Sequence, residues 1–445
     1  MKKKRLLLII FFVSFKFGFA QNDFSGSISL NGFYANQDDL PFWFYHNQNG
    51  QISVGSSFAG LTSLEFSRDL TRNLDIKIGG GLFYDDYKSH FRASELFWEI
   101  NYRRLKFVIG KKQRPLYYDG LSATNENFAW SNNSQALPGL KLSLNEPLNI
   151  FPKLALDFSW AEYIIDDNKY KKYPKLHHKS FHLIYSEENK FSIRAGIQHY
   201  AQWGGKSKSL INQPEGLKDY LKVVFGREGG ENANLADQQN VLGNHLGVYE
   251  LNLNYLTSGL DLGFIYNHFF EDGSGSRFAN FPDGRYGIFV KSRRAGTFFQ
   301  SVIYEFYHTL DQSKSAKIHN FDNYFNSGPY QSAWAYQKRI IGLPFFKYDE
   351  GQDLVFASKF QAHHAGFNGL LKTSYKNLPF KFMLSRINYK SDPTAKAGEI
   401  SRNTYLYFDI SLSEFGLDFK PIFGAEYSTL AKPIYGTGLQ VIKSF

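Results

Sequence analysis

"ELFWEINY", Glu95 to Tyr102, puts Leu96, Trp98, Ile100 and Tyr102 on one side of an extended chain and Glu95, Glu99 and Asn101 on the other. Successive side chains of a strand point to opposite faces, so this order reads as a strand with one wet face and one apolar face. The pattern returns along the chain. "SIRAGIQHY" (Ser192 to Tyr200) separates Ile193, Ala195 and Ile197 from Ser192, Arg194 and Gln198, and "YELNLNYL" (Tyr249 to Leu256) separates Leu251, Leu253 and Tyr255 from Glu250, Asn252 and Asn254. "TYLYFDISLS" (Thr404 to Ser413) sets Leu406, Phe408, Ile410 and Leu412 against Tyr405, Tyr407, Asp409 and Ser411. About ten residues of period two cross a bilayer at a tilt. The polar face stays polar over long strands and mixes Glu, Arg and Tyr, as a wet lumen would. The expected fold class is all-β, a transmembrane antiparallel outer-membrane β-barrel of about 18 strands, an even number being usual for bacterial barrels.

Composition agrees. Aromatics make up 18% of the chain, glycine is plentiful at 38, and there is no cysteine, yet the mean hydropathy is negative. No apolar run beyond Ala20 is long enough for a membrane-crossing helix, which needs about 20 residues. "MKKKRLLLIIFFVSFKFGFAQN" has a basic start, an apolar run from Leu6 to Val13 and small residues at Gly18 and Ala20, the pattern of an export signal. Residues 1–20 are therefore expected to be a signal peptide and 21–445 one barrel domain. Losing Lys2, Lys3, Lys4, Arg5 and Lys16 lowers the formal charge from +10 to +5, so a nucleic-acid partner is not expected.

The interruptions in the alternation, Lys112 to Ala136, Trp203 to Asn244, Glu271 to Gly284 and Leu310 to Asp353, are expected to be long extracellular loops. Within the second, Leu217, Tyr220, Leu221, Val224 and Phe225 recur at helical spacing and predict a short amphipathic helix at the barrel mouth, its stripe serving as loop core. The last segment, "PIYGTGLQVIKSF", puts Tyr435, Leu439, Val441 and Phe445 on one face, although Lys443 interrupts it. Such a terminal strand resembles substrates of the barrel assembly machinery.

Several chemistries fail on spacing. "GGKS" (Gly204 to Ser207) lacks the earlier glycine of a phosphate loop, since Tyr200 stands there. His177/His178 and His363/His364 point to opposite faces of any strand and cannot clamp one ion. Glu95 and Glu99 sit roughly 13 Å apart along a strand, too far for a glycosidase pair, and read as lumenal acids paired with bases across the barrel. "EDGSG" offers Glu271 and Asp272 as calcium-type oxygens but lacks the ordered spacing of a helix-loop-helix site. No cofactor is expected, and a bound calcium ion is possible only at that turn. No enzyme is expected either, although a lipid-cleaving site assembled across strands leaves no local signature.

Read together, "NNSQALPGLKLS" (Asn132 to Ser143), "QHYAQWGG" (Gln198 to Gly205), "LGNHLG" (Leu242 to Gly247), "NHFFEDGSGSRFANFPDGRYGI" (Asn267 to Ile288), "DNYFNSGPYQSAWAY" (Asp322 to Tyr336) and "IGLPFF" (Ile341 to Phe346) resemble the Bacteroidetes branch of the Wzi capsule assembly proteins. The resemblance implies an 18-stranded outer-membrane barrel that acts as a lectin, holding exported surface or capsular polysaccharide without catalysis. It also implies outer-membrane lipids and the assembly machinery as partners, and a monomer. Enterobacterial members carry a helical bundle at the periplasmic end, but here strand-like "FSGSISLNGFY" begins at Phe24 and leaves no room for one.

Aromatic faces stack on sugars, while amides, acids and Arg exchange hydrogen bonds with hydroxyls. On that ground Gln202, Trp203, Asn244, His245, His268, Glu271, Asp272, Arg277, Asp283, Asp322, Tyr324 and Trp334 are the expected polysaccharide-binding set on the rim or lumen. The alternatives are a diffusion channel and an accessory barrel for a secretion or surface-lipoprotein complex.

Overall fold

Eighteen long strands close on themselves in the computed structural model, which describes residues 23–187, 190–207, 212–239, 241–312, 323–390, 392–396 and 399–445. The expected signal segment lies outside these residues. The strands are β1 (Asp23–Ala35), β2 (Phe58–Thr71), β3 (Leu74–Asp85), β4 (His90–Tyr102), β5 (Leu105–Lys111), β6 (Pro138–Leu144), β7 (Leu154–Ile164), β8 (Lys175–Glu187) and β9 (Phe191–Trp203). They continue as β10 (Asn244–Leu256), β11 (Leu260–Phe270), β12 (Gly284–Ser292), β13 (Phe299–His308), β14 (Phe360–Lys372), β15 (Asn377–Tyr389), β16 (Ser401–Ile410), β17 (Leu417–Ser428) and β18 (Ile434–Ser444).

Each strand pairs antiparallel with its sequence neighbours, and β1 closes the ring on β18 with Ser27 opposite Ser444. Closure leaves no free sheet edge to be hydrogen-bonded, the condition for crossing lipid. The even strand number puts both ends of β1–β18 at the end with short turns. The connections 36–57, 112–137, 204–243, 271–283 and 309–359 all lie at the other end.

Alternation sorts the two faces as the sequence predicts. Glu95 and Glu99 line a lumenal cavity, while their neighbours Leu96 and Trp98 are 67% and 59% exposed on the outer wall. Ile288, Phe181, Phe264 and Phe423 are likewise exposed outward. So much bare apolar surface fits only a lipid environment. Aromatics gather where a bilayer would meet water: Tyr102, Phe151, Tyr255, Phe298 and Phe415 at the short-turn end, and Tyr34, Phe91, Phe225 and Phe281 at the other.

The lumen is not an open pipe. Loops 36–57 and 112–137 and the described part of 309–359 fold inward at the long-loop end and pack an aromatic core against the strands. Phe128 stacks on Phe269 of β11 at 4.7 Å, and Trp43 sits 5.9 Å from Phe345. Backbone polar groups of this plug pair among themselves: Ser131 donates its N–H to Ile341 O at 2.8 Å, Leu343 to Phe128 O at 3.0 Å, and Trp334 Nε1 to Ala129 O at 2.8 Å. A buried loop must pair these groups somewhere, and here two loops pair each other.

An internal ion pair fastens the plug to the wall. Arg285 of β12 donates Nε to Glu305 Oε1 of β13 at 2.9 Å, and Glu305 also accepts from Ser122 Oγ at 2.8 Å and Ala123 N–H at 2.9 Å. Among the described residues the occlusion thus comes from loops.

The predicted helix exists as Leu217–Val224, but its stripe is divided. Tyr220 is half-buried and Val223 and Val224 are buried, whereas Leu217, Leu221 and Phe225 are exposed. The expectation that the whole stripe forms loop core is corrected: only the side facing the barrel does.

Candidate functional site

Cavities lie beside the plug, two of which are lined by residues that bear on function. The larger, of about 700 Å³, is a lumenal chamber reaching from the plug toward the short-turn end, where Leu144, Asn145 and Pro147 line it. Its lining mixes both signs, and of the two acids expected to pair with bases only Glu99 does so. Glu99 accepts from Lys112 Nζ at 2.5 Å, Arg194 donates to Asp157 at 2.8 Å, and Glu95 accepts the Gln113 N–H at 2.6 Å. His178 faces this chamber while His177 lies on the outer wall, and likewise His364 is interior while His363 bonds Tyr304 outside.

Within the plug, Arg114 pairs with Glu126. Burial disfavours the charge on Glu126, but the Arg114 guanidinium outweighs it, helped by Lys141 and Gln198, and brings the carboxyl from 4.5 down to about 2. A carboxyl depressed in the folded state stabilises it fully above its unfolded value, and that contribution is lost as pH falls from 4.5 toward 2. Protease sensitivity of segment 112–137 is therefore expected to rise across that window, and Glu126→Gln to abolish the pH step. An unchanged step in the variant would assign the transition to another group.

The smaller cavity, of about 250 Å³, opens at the long-loop end. The sequence "FWFY" forms one helical turn, Phe42–Tyr45, after Pro41, whose fixed φ suits a helix start. Phe42 stacks on Tyr405 of β16 at 3.9 Å, and Tyr45, partly buried against the core, lines the cleft wall. Opposite, the hairpin Ala335–Tyr336/Arg339–Ile340 turns through Gln337 and Lys338, both left-handed (φ 50° and 62°). Non-glycine residues there cost of order 1 kcal/mol each, strain that tends to be kept where it positions something.

What the turn positions is Lys338 and Arg339, the latter with its guanidinium 4.7 Å over the Tyr45 ring. Tyr348, Glu350 and Phe356 complete the cleft, with Lys347 held by Asp392 at 2.6 Å. Burial, followed by the nearby Arg339 charge, pushes His46 well below its ordinary value, so the cleft keeps a neutral imidazole. Aromatic faces beside fixed cations and hydrogen-bonding groups can hold a sugar ring and an acidic substituent.

The residues predicted from sequence fall into separate groups. Gln202 points inward and donates to Tyr170 OH at 3.0 Å, while its neighbour Trp203 lies outside under Tyr220. Half-buried Asn244 and His245 open β10, and His245 Nδ1 meets His199 Nε2 at 3.0 Å on the outer wall. His268 is covered by Phe278, 4.3 Å away, and its Nε2 bonds Gly275 O. Asp272 folds its own turn by accepting the Gly275 N–H at 2.6 Å, and Glu271 accepts the Phe325 N–H at 2.7 Å.

Asp283 and Tyr324 meet directly at 2.8 Å, both fully buried, and Trp334 sits in the plug. Arg277 and Asp272 are exposed, and Asp322 lies outside the described residues. The set expected on the rim or in the lumen is thus spread over several places: Gln202, Asp283, Tyr324 and Trp334 are interior, Trp203, His245 and His268 lie on the outer side, and Asp272 and Arg277 are exposed. Aromatic and amide residues in glycine turns serve the turns' own hydrogen bonds as readily as a ligand's.

Asp283, His308 and Asp311 bring ligand atoms within 4.8 Å of one another. The Asp283 oxygens, however, already accept His308 Nδ1, the N–H groups of Asp311 and Gln312, and Tyr324 OH. That donor-filled carboxylate fits a loop clamp better than a cation.

Sequence reading missed the cleft residues Tyr45, Lys338, Arg339 and Tyr348. The signal available was "FWFY", four aromatics in a row outside any alternating segment.

No protein-family model matches the chain, and no curated protein matches it by sequence. Among solved structures it is similar to Wzi of Escherichia coli, described as an outer-membrane protein involved in group 1 capsule assembly and a carbohydrate-binding β-barrel. That match has 11% identity and a TM-score of 0.56 over 93% of this chain and 83% of the other. It is also similar to OccK3 (OpdO) of Pseudomonas aeruginosa, with 11% identity and a TM-score of 0.51 over 95% and 96% of the two chains. At such identity the likeness concerns the fold. Together with the closed ring and the apolar outer wall, it makes the chain an antiparallel 18-stranded outer-membrane β-barrel.

Proposed function

We propose that the barrel is a Wzi-like, non-catalytic surface-polysaccharide binder that helps assemble or anchor exported glycan at the cell surface. The observation that carries the reading is the mouth: a packed aromatic plug presenting the Tyr45/Arg339/Tyr348 cleft at the long-loop end, the end that barrels of this kind turn outward. The exposed Asp272 and Arg277 would add contacts, with Asp283, Tyr324 and Trp334 holding the loops that carry the surface. Many weak contacts along a polymer give avidity.

The test compares cell-bound and shed polysaccharide in a deletion strain and its complemented parent. Unchanged total with a shift to the medium is expected; an unchanged distribution would remove the anchoring role. On the purified barrel, Tyr45→Ala or Arg339→Ala is expected to cost about 1–2 kcal/mol, roughly five- to thirtyfold in Kd for the host's own surface glycan. Wild-type affinity in both variants would move the site elsewhere.

The 700 Å³ chamber favours one second reading, a diffusion channel. It predicts stable conductance steps in planar bilayers, whereas the plug predicts silence.

A further inference from the structure

Of the described residues between β9 and β10, the helix Leu217–Val224 packs on the outside of the barrel. On β8, His178, Ser180 and His182 line the chamber, so the alternate residues His177 and Lys179 face outward. The same parity puts Glu162 of β7, His199 of β9 and His245 of β10 on the outer wall, near the long-loop end. Such polar side chains facing lipid are costly unless covered and paired.

The helix Leu217–Val224 covers them. Tyr220 OH accepts Trp160 Nε1 at 3.1 Å, and its ring stands 5.1 Å from Trp203 and 5.8 Å from His177. Val223 is buried with Ala201 and Leu242. Lys179 Nζ donates to Val224 O, placing a cation at the helix C-terminus, where the backbone carries partial negative charge. His177 is paired with Glu162, and His199 with His245.

With one face committed to the wall, the helix shows two others. Leu217, Leu221 and Phe225, spaced four apart, are 77%, 48% and 71% exposed and continue the bare apolar wall on which Phe181 and Leu183 lie. Lys218 and Lys222 lie on the remaining side together with Asp219, and the exposed Arg227, followed by Glu228, stands just beyond the helix. An apolar stripe flanked by cations is the build of a segment lying in a membrane interface.

We propose that this helix is an interfacial anchor occupied by anionic lipids of the outer leaflet. Acyl chains lie against Leu217, Leu221 and Phe225, and headgroup phosphates meet Lys218, Lys222 and Arg227. Continuity with the lipid-facing wall and charge complementarity select lipid over a second copy or a protein partner. The inference stands apart from the polysaccharide reading and needs only the outer-membrane barrel.

The chain has no cysteine, so single-cysteine labelling is clean. Leu221→Cys, Phe225→Cys and Lys218→Cys, each carrying an environment-sensitive fluorophore, are reconstituted in phosphatidylethanolamine–phosphatidylglycerol vesicles. Quenching by nitroxides on the lipid acyl chains is compared with quenching by aqueous iodide. A several-fold higher lipid-to-iodide ratio at 221 and 225 than at 218 is expected, falling when phosphatidylcholine replaces the anionic lipid. Combined Lys218→Glu, Lys222→Glu and Arg227→Glu should remove that dependence on anionic lipid. Equal iodide quenching at all three positions overturns the anchor. Shielding from both quenchers with a doubled particle mass overturns it in favour of a second copy, and a ratio indifferent to lipid charge overturns the phosphate contact.

Discussion

Glu305→Ala is expected to lower the unfolding free energy of the reconstituted barrel by about 3–5 kcal/mol, because it leaves the Arg285 guanidinium buried without its partner. Both side chains are fully enclosed. The substitution also removes the acceptor for Ser122 Oγ, the Ala123 N–H and Tyr307 OH. Two effects should therefore appear together: a lower urea midpoint in lipid vesicles, and chymotrypsin cleavage within 112–137, which carries Tyr117, Tyr118, Phe128 and Trp130, in the otherwise folded barrel. Glu305→Gln keeps an acceptor for Ser122 or Ala123 and should fall between. Exchange of the exposed Lys153, paired with Glu187 at a short turn, should do neither. A wild-type midpoint with a protected loop in Glu305→Ala would mean that the aromatic core alone holds the plug.

The same variant bears on conduction. If the plug is what silences the pore, loosening its anchor should produce conductance steps absent from the wild type. Open steps in both would favour the channel, and silence in both would show that the packing of Phe128, Trp334 and Phe345 occludes without the ion pair.

Strand parity was legible because it is local. Glu95 and Leu96 need only their neighbours to be sorted to lumen and wall, and the four interruptions named in the sequence fall on the connections 112–137, 204–243, 271–283 and 309–359, whereas 36–57 was not marked. The occlusion was not legible. Phe128, Trp130, Phe345 and Phe346 follow no period, and what buries them is a second loop far away in sequence. The division of the 217–225 stripe was hidden for the same reason. Helical spacing says which side chains share a face, but only the polar outer wall at Glu162, His177 and Lys179 explains why part of that face turns to the barrel and part away. The candidate site was read from residue chemistry alone. Tyr324 and Trp334 have the chemistry of sugar contacts, yet Asp283 and Ala129 already use their polar atoms.

That use makes Asp283→Ala the sharper test of how the mouth is built. One carboxylate joins three segments: it accepts His308 Nδ1 at the top of β13 at 2.8 Å, the Asp311 and Gln312 N–H groups at 3.0 and 2.8 Å, and Tyr324 OH at 2.8 Å. Hydrogen bonds to a buried charge are worth about 1.5–3 kcal/mol each, and they are not additive. A loss of about 3 kcal/mol in local stability is expected, read as faster amide exchange in 271–283 and 323–325 while β2–β5 keep their protection. Asp283→Asn, retaining one carbonyl oxygen, should lose less.

Because protein donors fill the carboxylate, EDTA should leave the exchange pattern of the wild type unchanged. An EDTA effect matching the alanine variant would instead make Asp283, His308 and Asp311 a cation site. Glycan affinity separates the remaining roles. If the loops present the binding surface, it should fall in Asp283→Ala in step with the loosened exchange, although the buried side chain itself touches no polymer. Affinity retained beside a fully loosened loop would confine binding to the Tyr45–Arg339 cleft.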